Sequence, residues 1–486
     1  MKFHSYSPIC PFKSTEDIKN KNVLIMGLGL NGGGEAATRF FLKKGANVLV
    51  TDMKSQEQLQ QTIDKINADK TLDTSKLTYR LGEHRIEDFK NADCVIKNPG
   101  VKYEGNKYLA AAKAIETDLS IFLRFTDCPV IAVTGSKGKS STVSAIYYGL
   151  SKAGYKTFLG GNITVSPLTF FDDVSADTPV VIEFSSWQLA DLRGRKVLKP
   201  HISLITKIVP DHQNWYHNME DYVADKRLIY ADQDSGDYSV FEIGANEYDF
   251  APDRTLHPGI KTWGDLFASE SKATVLRYDE KKPRYNIENL LVPGEHMKAN
   301  IQNAALVMQL MNIPKKQIEE ILSKWQGIEH RLQYFYSYKN SFGIEFRFYN
   351  DTCATVPEAA AAATQAFGKS VILIAGGTDK SLEFEKFTYA LTNKLKFPVK
   401  DIYFLDGTAT QKILPVLNEN KINYNGPFES LYALLKVLKE NIEKMNGSKR
   451  EQEIVVFSPG ATSFGMFFNE FDRGNKFMQT VKEIFA

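Results

Sequence analysis

An apolar run, Val130-Ile131-Ala132-Val133, opens into Gly135-Ser136-Lys137-Gly138-Lys139-Ser140-Ser141 and then into a helical pattern. This order of strand, glycine loop and helix constrains the fold more than any other feature of the chain. Glycines let backbone N–H groups converge on a phosphate, and the helix N-terminus adds its positive end. Lys139 adds a point charge, and Ser140 offers a hydroxyl to Mg²⁺. The spacing is GxxGKS, two residues shorter than the GxxxxGK[ST] of ATP and GTP loops. The shorter form points away from kinases and GTPases, so the reaction has to be read from the rest of the chain.

Strand-like runs and helical patterns alternate from end to end, which predicts α/β architecture with mainly parallel sheets. At 486 residues the chain exceeds one ordinary core, and about 150 residues per domain suggests three. The pattern divides into 1–125, 126–327 and 328–486. Each block reads as an α/β domain. Residues 235–290 are polar and read as a hairpin-rich excursion. The net charge of +2 gives no general pull toward nucleic acid or membrane. The four cysteines have no metal-ligand spacing and fit a reducing compartment. No stretch approaches the ~20 apolar residues of a membrane helix, and no signal peptide is visible. A cytoplasmic protein is expected.

A second glycine loop, Gly27-Leu28-Gly29-Leu30-Asn31-Gly32, follows the strand "NVLIM" and opens a helix, and Asp52 ends the next strand. That is the dinucleotide fingerprint, with an acidic residue placed for a ribose hydroxyl. Two readings stay open from these residues: an NAD-binding dehydrogenase or sensor, and a site for another pyrophosphate such as a UDP-sugar. In the middle block Glu183 ends the strand "VVIE", Asn162 follows two glycines, and Asp211 and His212 follow another strand. In an open parallel sheet ligands bind beyond the carboxyl ends of the strands. A hydroxyl, a carboxylate and an imidazole around nucleotide phosphates describe a magnesium site. Lys226 lies on a helix between Asp225 and Arg227 and reads, taken alone, as a solvated lysine.

The stretches "MGLGLNGGG", "KNPGV", "TGSKGKSST", "GGNI", "EFSSWQL", "PDH", "ADK", "GEHMKANIQNAA", "EHRLQ", "YNDTCAT", "AGGTDKS" and "SPGATSFGMFFNEFDRG" occur in that order. This series resembles the Mur ligases of peptidoglycan synthesis, from about Val23 to the C-terminus. It is closest to the branch that joins D-glutamate to UDP-N-acetylmuramoyl-L-alanine. The resemblance implies a Rossmann-like N-terminal domain, a central P-loop-type domain that binds ATP and Mg²⁺, and a C-terminal Rossmann-like domain. With them come ATP, two Mg²⁺ ions and an acyl-phosphate intermediate. It implies Lys139 on the β/γ-phosphates, with Gly135, Ser136, Lys137, Gly138, Ser140 and Ser141 around ATP. It implies Ser140 and Glu183 on one Mg²⁺, His212 on a second, and Lys226 as a carbamate bridging to that metal. Asn300, Arg331 and Asp351 match ATP positions, the last two from the third domain, so that domain closure is expected to assemble the site. Gly29, Leu30, Asn31, Asp52 and Gly100 match the uridine-diphosphate site, and Asn162 a place near the muramoyl sugar. Thr355, Lys380 and Ser463 match the D-glutamate pocket. No nucleic acid or membrane partner is implied, and the protein is expected to be a monomer.

The chain departs from the better-known family pattern in three places. Cys353 stands where a lysine is usual, Met297 replaces an asparagine, and "SFGMFFNEFDRG" shifts the aromatic residue near D-glutamate to Glu470 or Phe471. A sister ligase for another amino acid is the nearest rival. A folylpolyglutamate-synthase-like enzyme would lack the first block.

Overall fold

The computed structural model describes residues 10–30, 32–163, 165–212, 214–243, 251–279, 282–288, 290–392, 395–446 and 452–486. Three β-sheets carry the fold. The first contains β1 (Asn22–Met26), β2 (Asn47–Asp52), β3 (Leu77–Leu81), β4 (Cys94–Lys97) and β5 (Ile115–Glu116), in the order β3-β2-β1-β4-β5. All of its pairings are parallel. The chain winds outward from β1 on one side and returns to β4 on the other, so the carboxyl ends of β1 and β4 flank a topological switch point.

The second sheet contains β6 (Val130–Thr134), β7 (Phe158–Gly161), β8 (Val180–Glu183), β9 (Ile202–Ile205), β10 (Tyr238–Glu242) and β11 (Thr274–Tyr278). Its order is β11-β10-β9-β6-β8-β7, again wholly parallel. Strand β6 sits between β8 and β9 and is buried along its whole length, as a continuous apolar run in a covered parallel sheet should be. The expected hairpins at 235–290 do not form among the described residues. The segment instead supplies β10 and β11, parallel and linked through the helix Trp263–Glu270. Strand β11 is the sheet's edge and mostly half-exposed, so its polar composition hid a strand.

The third sheet contains β12 (Gln333–Lys339), β13 (Glu345–Asn350), β14 (Ile372–Gly376), β15 (Asp401–Leu405), β16 (Asn425–Phe428) and β17 (Gln452–Phe457). Its order is β12-β13-β17-β14-β15-β16, parallel except for the antiparallel edge pair β12–β13.

The chain packs as two compact units. One is Met1–Asn286 with Ala299–Glu319, and the other is Ile287–Lys298 with Glu320–Ala486. The first two sheets therefore share a unit, and a single apolar core runs from Phe12 to Phe267 through both. Buried charge also joins them. Lys97 Nζ lies 2.9 Å from an Asp191 carboxylate oxygen, and Glu116 receives Arg195 at 2.9 Å and Arg124 at 3.1 Å. Among the described residues no helix is long and apolar enough to cross a membrane.

Candidate functional site

At the switch point of the first sheet, Gly27 and Gly29 have φ of 96° and 62°, a region that side-chain-bearing residues rarely enter. The Asp52 carboxylate, at the end of β2, accepts the Gly29 N–H at 3.0 Å and the Lys54 N–H at 2.9 Å. The carboxylate expected to meet the nucleoside thus also sets the shape of the glycine loop. Asn98, after β4, packs beside Gly27, and its side chain accepts the Gly100 N–H at 3.0 Å. Leu30 is exposed, and Asn31 lies outside the described residues. The glycine that permits close packing of helix on strand is Gly34: a Cβ there would lie 2.2 Å from the Gly27 carbonyl oxygen. Gly32, the third glycine of the literal motif, is instead the N-cap of the helix Gly33–Lys43.

At the second switch point, β6 delivers Gly135 (φ 144°) and Gly138 (φ 91°), and Gly138 caps the helix Lys139–Lys152. The loop is braced by the segment after β9. The Ser136 N–H reaches the Lys207 carbonyl at 2.8 Å, and the Ser136 hydroxyl donates to the Val209 carbonyl at 2.8 Å. Thr206 Oγ1 donates to the Lys137 carbonyl at 2.7 Å. A Cβ on Gly135 would lie 1.9 Å from Thr206 Oγ1, and one on Gly138 would lie 2.4 Å from Asn300 Oδ1. Asn300 is therefore fitted against the loop. Lys137 pairs with Asp211 at 3.1 Å.

Two ammonium groups converge on one carbonyl oxygen of this loop. Lys139 Nζ donates to the Gly135 carbonyl at 2.9 Å and to that of Ser136 at 3.1 Å. Lys226 Nζ donates to the same Gly135 oxygen at 2.8 Å. Lys226 is 1% exposed, so its reading as a solvated lysine is wrong: the helix Met219–Lys226 turns its last residue inward, over the Tyr222 ring at 4.6 Å. Burial first, and then the Lys139 charge, hold its ammonium well below the ordinary value. Burial likewise lowers Lys139, against the pull of Glu183.

Glu183, at the end of β8, is 1% exposed. Its Oε1 accepts the Asn162 side chain at 2.9 Å, while Oε2 is buried without a hydrogen-bond partner among the described residues. Asn162, expected near the sugar, thus orients this carboxylate. His212 has φ 52°, an unusual conformation for a non-glycine residue. Its ring packs on Trp187 at 4.7 Å. Burial lowers its imidazole, with Asp211 pulling the other way and Lys226 and Lys139 adding to the lowering. A neutral imidazole is the form that binds metal. Among the described residues no cluster of three or more His, Cys, Asp or Glu side chains forms a ready metal cage. An orphaned carboxylate oxygen beside a phosphate loop does fit Mg²⁺, which commonly takes one or two carboxylates and completes its shell with phosphate oxygens and water.

In the other unit, three loops at the carboxyl ends of β13, β14 and β17 are tied together. The Ser458 hydroxyl donates to Asp351 Oδ2 at 2.6 Å, the Leu332 N–H to Asp351 Oδ1 at 3.1 Å, and the Gly460 N–H to the Ala354 carbonyl at 2.9 Å. Thr378 and Thr462 form an antiparallel bridge. Thr355, Lys380 and Ser463 sit on these three loops, with Ser463 buried and Lys380 exposed. Burial raises the Asp351 carboxyl to about 6, and the exposed Arg331 nearby opposes this. Of the two residues left open, Phe471 is exposed and its ring lies 5.5 Å from that of His330, while the Glu470 carbonyl accepts the Thr352 hydroxyl at 2.9 Å.

Residues that sequence reasoning left without a role are Gly34, Asn98, Thr206, Tyr222, Ser458 and Arg473. The quoted stretches "MGLGLNGGG", "KNPGV" and "SPGATSFGMFFNEFDRG" contain four of them, Gly34, Asn98, Ser458 and Arg473. Thr206 and Tyr222 carry no local signal, because their importance lies in packing across the sheet.

Residues 133–311 match the family model for the Mur ligase middle domain, and residues 21–119 match that for the Mur ligase MurD-like N-terminal domain. A UDP-N-acetylmuramoylalanine--D-glutamate ligase of Borreliella burgdorferi strain B31 is 37% identical over 96% of this chain and 99% of its own length. A protein of that name from Treponema pallidum strain Nichols is 35% identical over 96% and 98%. Among solved structures, MurF from Acinetobacter baumannii aligns with a TM-score of 0.52 and 14% identity over 90% of this chain and 91% of that one, a likeness of fold.

Proposed function

This chain belongs to the Mur ligase family, and from that premise we propose that it joins D-glutamate to UDP-N-acetylmuramoyl-L-alanine at the expense of ATP. The observation that carries the reading is the convergence of Lys139 and Lys226 on the single Gly135 carbonyl beside the buried Glu183. Lys139 at a glycine loop and helix N-terminus suits a polyphosphate, and the buried Glu183 carboxylate beside it suits the divalent cation that accompanies one.

The chemistry follows from the poor electrophilicity of a carboxylate. A carboxylate oxygen of the L-alanyl group attacks the γ-phosphorus of ATP, the P–O bond to the β-phosphate breaks, and ADP leaves. The D-glutamate amine attacks the acyl phosphate and loses a proton. A tetrahedral intermediate collapses to the amide, and phosphate departs. Positioning and charge neutralisation supply most of the catalysis of phosphoryl transfer. Lys139 neutralises the transferring group. Ser140 and Glu183 would hold one Mg²⁺ and His212 a second, and bound Mg²⁺ supplies further neutralisation of phosphate charge. Burial against the loop lowers the Lys226 ammonium, and its amine would react with CO₂. A nitrogen–carbon bond would form and a proton would pass to solvent, and the resulting carbamate would be able to help hold the second Mg²⁺.

The segment 1–125 would carry the uridine diphosphate at Gly29, Asp52 and Gly100, 126–327 the ATP site, and 328–486 the amino-acid pocket of Thr355, Lys380 and Ser463. The enzyme would act in the cytoplasm as a monomer.

The test is phosphate release from ATP with UDP-N-acetylmuramoyl-L-alanine across a panel of D- and L-amino acids. D-Glutamate alone should support release. Preference for another amino acid would replace the substrate assignment, and tight NAD binding without phosphate release would overturn the ligase reading.

A further inference from the structure

Arg473 lies in the first turn of the helix Glu470–Ile484 and is 1% exposed. Its position is unfavourable in three respects. The guanidinium is buried, it stands at the positive end of a helix, and no carboxylate lies within ion-pair distance among the described residues. Burial lowers its value to about 10, with Glu470 in part offsetting this. Among the described residues, every hydrogen bond of its guanidinium goes to the loops that carry the expected amino-acid ligands. Nε donates to Thr352 Oγ1 at 2.9 Å and one terminal nitrogen to the Thr352 carbonyl at 2.9 Å. The other terminal nitrogen donates to the Ala461 carbonyl at 3.0 Å. Thr352 lies three residues before Thr355, and Ala461 two before Ser463. The planar fork therefore fixes the distance between the loop after β13 and the loop after β17. Packing of the helix on the first loop is tight, since a Cβ on Gly474 would lie 2.5 Å from Thr352 Cγ2.

We propose that Arg473 is a positioning residue for the acidic amino-acid substrate: it sets the spacing of the loops bearing Thr355 and Ser463 and places a fixed positive charge beneath them. A residue needed only for packing could be apolar, and a buried cation bonded solely to these two loops is explained by an anion bound above them. The inference rests on the proposed ligase reading.

The experiment measures KM for each of the three substrates, kcat and the thermal midpoint, for wild type, Arg473→Lys, Thr352→Val and Thr352→Ser. Arg473→Lys keeps the charge and loses the fork. Thr352→Val keeps the arginine and removes its hydroxyl acceptor, and Thr352→Ser restores that acceptor. We expect Arg473→Lys and Thr352→Val to raise KM for D-glutamate tenfold or more. KM for ATP and for the UDP-linked substrate should stay within twofold, and Thr352→Ser should return KM for D-glutamate to near wild type. A uniform change in all three KM values, or a lower midpoint with KM for D-glutamate unchanged, would overturn the proposal. If Arg473→Lys does not fold, the two Thr352 variants decide it. If wild type uses another amino acid, the substrate assignment fails and the same comparison is read with that amino acid. If wild type uses none, both fail.

Discussion

Gly32 and Gly138 cap the helices after the two glycine loops with φ of 82° and 91°, and both loops leave a strand at a switch point. What stands beside each loop differs. In the first, a carboxylate, Asp52, takes up a loop N–H. In the second, two lysines crowd one loop carbonyl and a carboxylate oxygen has no hydrogen-bond partner among the described residues. A negative group at the loop suits the hydroxyls of a nucleoside, and a loop lysine beside a buried carboxylate suits a phosphate with its cation. Glycine spacing describes the backbone, and the neighbouring side chains describe the ligand.

The largest effect should come from Lys226→Arg, which keeps a long basic side chain and cannot form the same carbamate. Turnover should fall by ~10³-fold or more with the near-ultraviolet dichroism unchanged. Wild type depleted of CO₂ should lose activity and regain it with bicarbonate. Normal turnover of the variant would remove Lys226 from the contrast. Glu183→Gln is nearly isosteric and keeps an acceptor for Asn162, yet loses the charge. Its kcat should drop by about 10²-fold, with more Mg²⁺ needed for half-maximal rate in an MgCl₂ titration. An unaltered Mg²⁺ profile would show that the unpartnered oxygen has no metal to serve.

Smaller effects are expected at the first loop. Gly34→Ala pushes a methyl into a backbone carbonyl and should cost about 1–3 kcal/mol in urea unfolding. Gly29→Ala meets nothing within 4 Å and should cost only the left-handed backbone strain, about 1 kcal/mol. Equal losses would mean that helix and strand can separate freely. Asp52→Ala should raise KM for the UDP-linked substrate about tenfold, or about 1.4 kcal/mol, and leave KM for ATP unchanged. A matching rise for ATP would erase the distinction between the loops.

Much of this architecture was legible in the sequence because strand β6 and its glycine loop, and β1 with its own, are local patterns. The edge strands β11, β12 and β16 were not, since an edge strand is half-exposed and loses the apolar run that marks a covered one. Lys226 shows the same limit at the site. Its neighbours Asp225 and Arg227 are charged, and nothing local says that the helix end turns inward under Gly135. Glu183 could be placed at a strand end from sequence, but its unpartnered oxygen is a property of three-dimensional burial. Arg473 stood inside a quoted motif and gained meaning only once Thr352 and Ala461, both distant in sequence, were found on its nitrogens.

The buried charges that join the first two sheets bear on how such a chain can change over evolutionary time. Lys97 and Glu116 belong to the first sheet, and Asp191 and Arg195 to the region of the second. Replacing one member alone would strand its partner in the interior, at a cost of about 3–5 kcal/mol. The N-terminal module therefore cannot be exchanged piecemeal with that of a relative. A recombinant joined near residue 125 would have to inherit both halves of each pair together, so the two modules are heritable as a block although each has its own sheet.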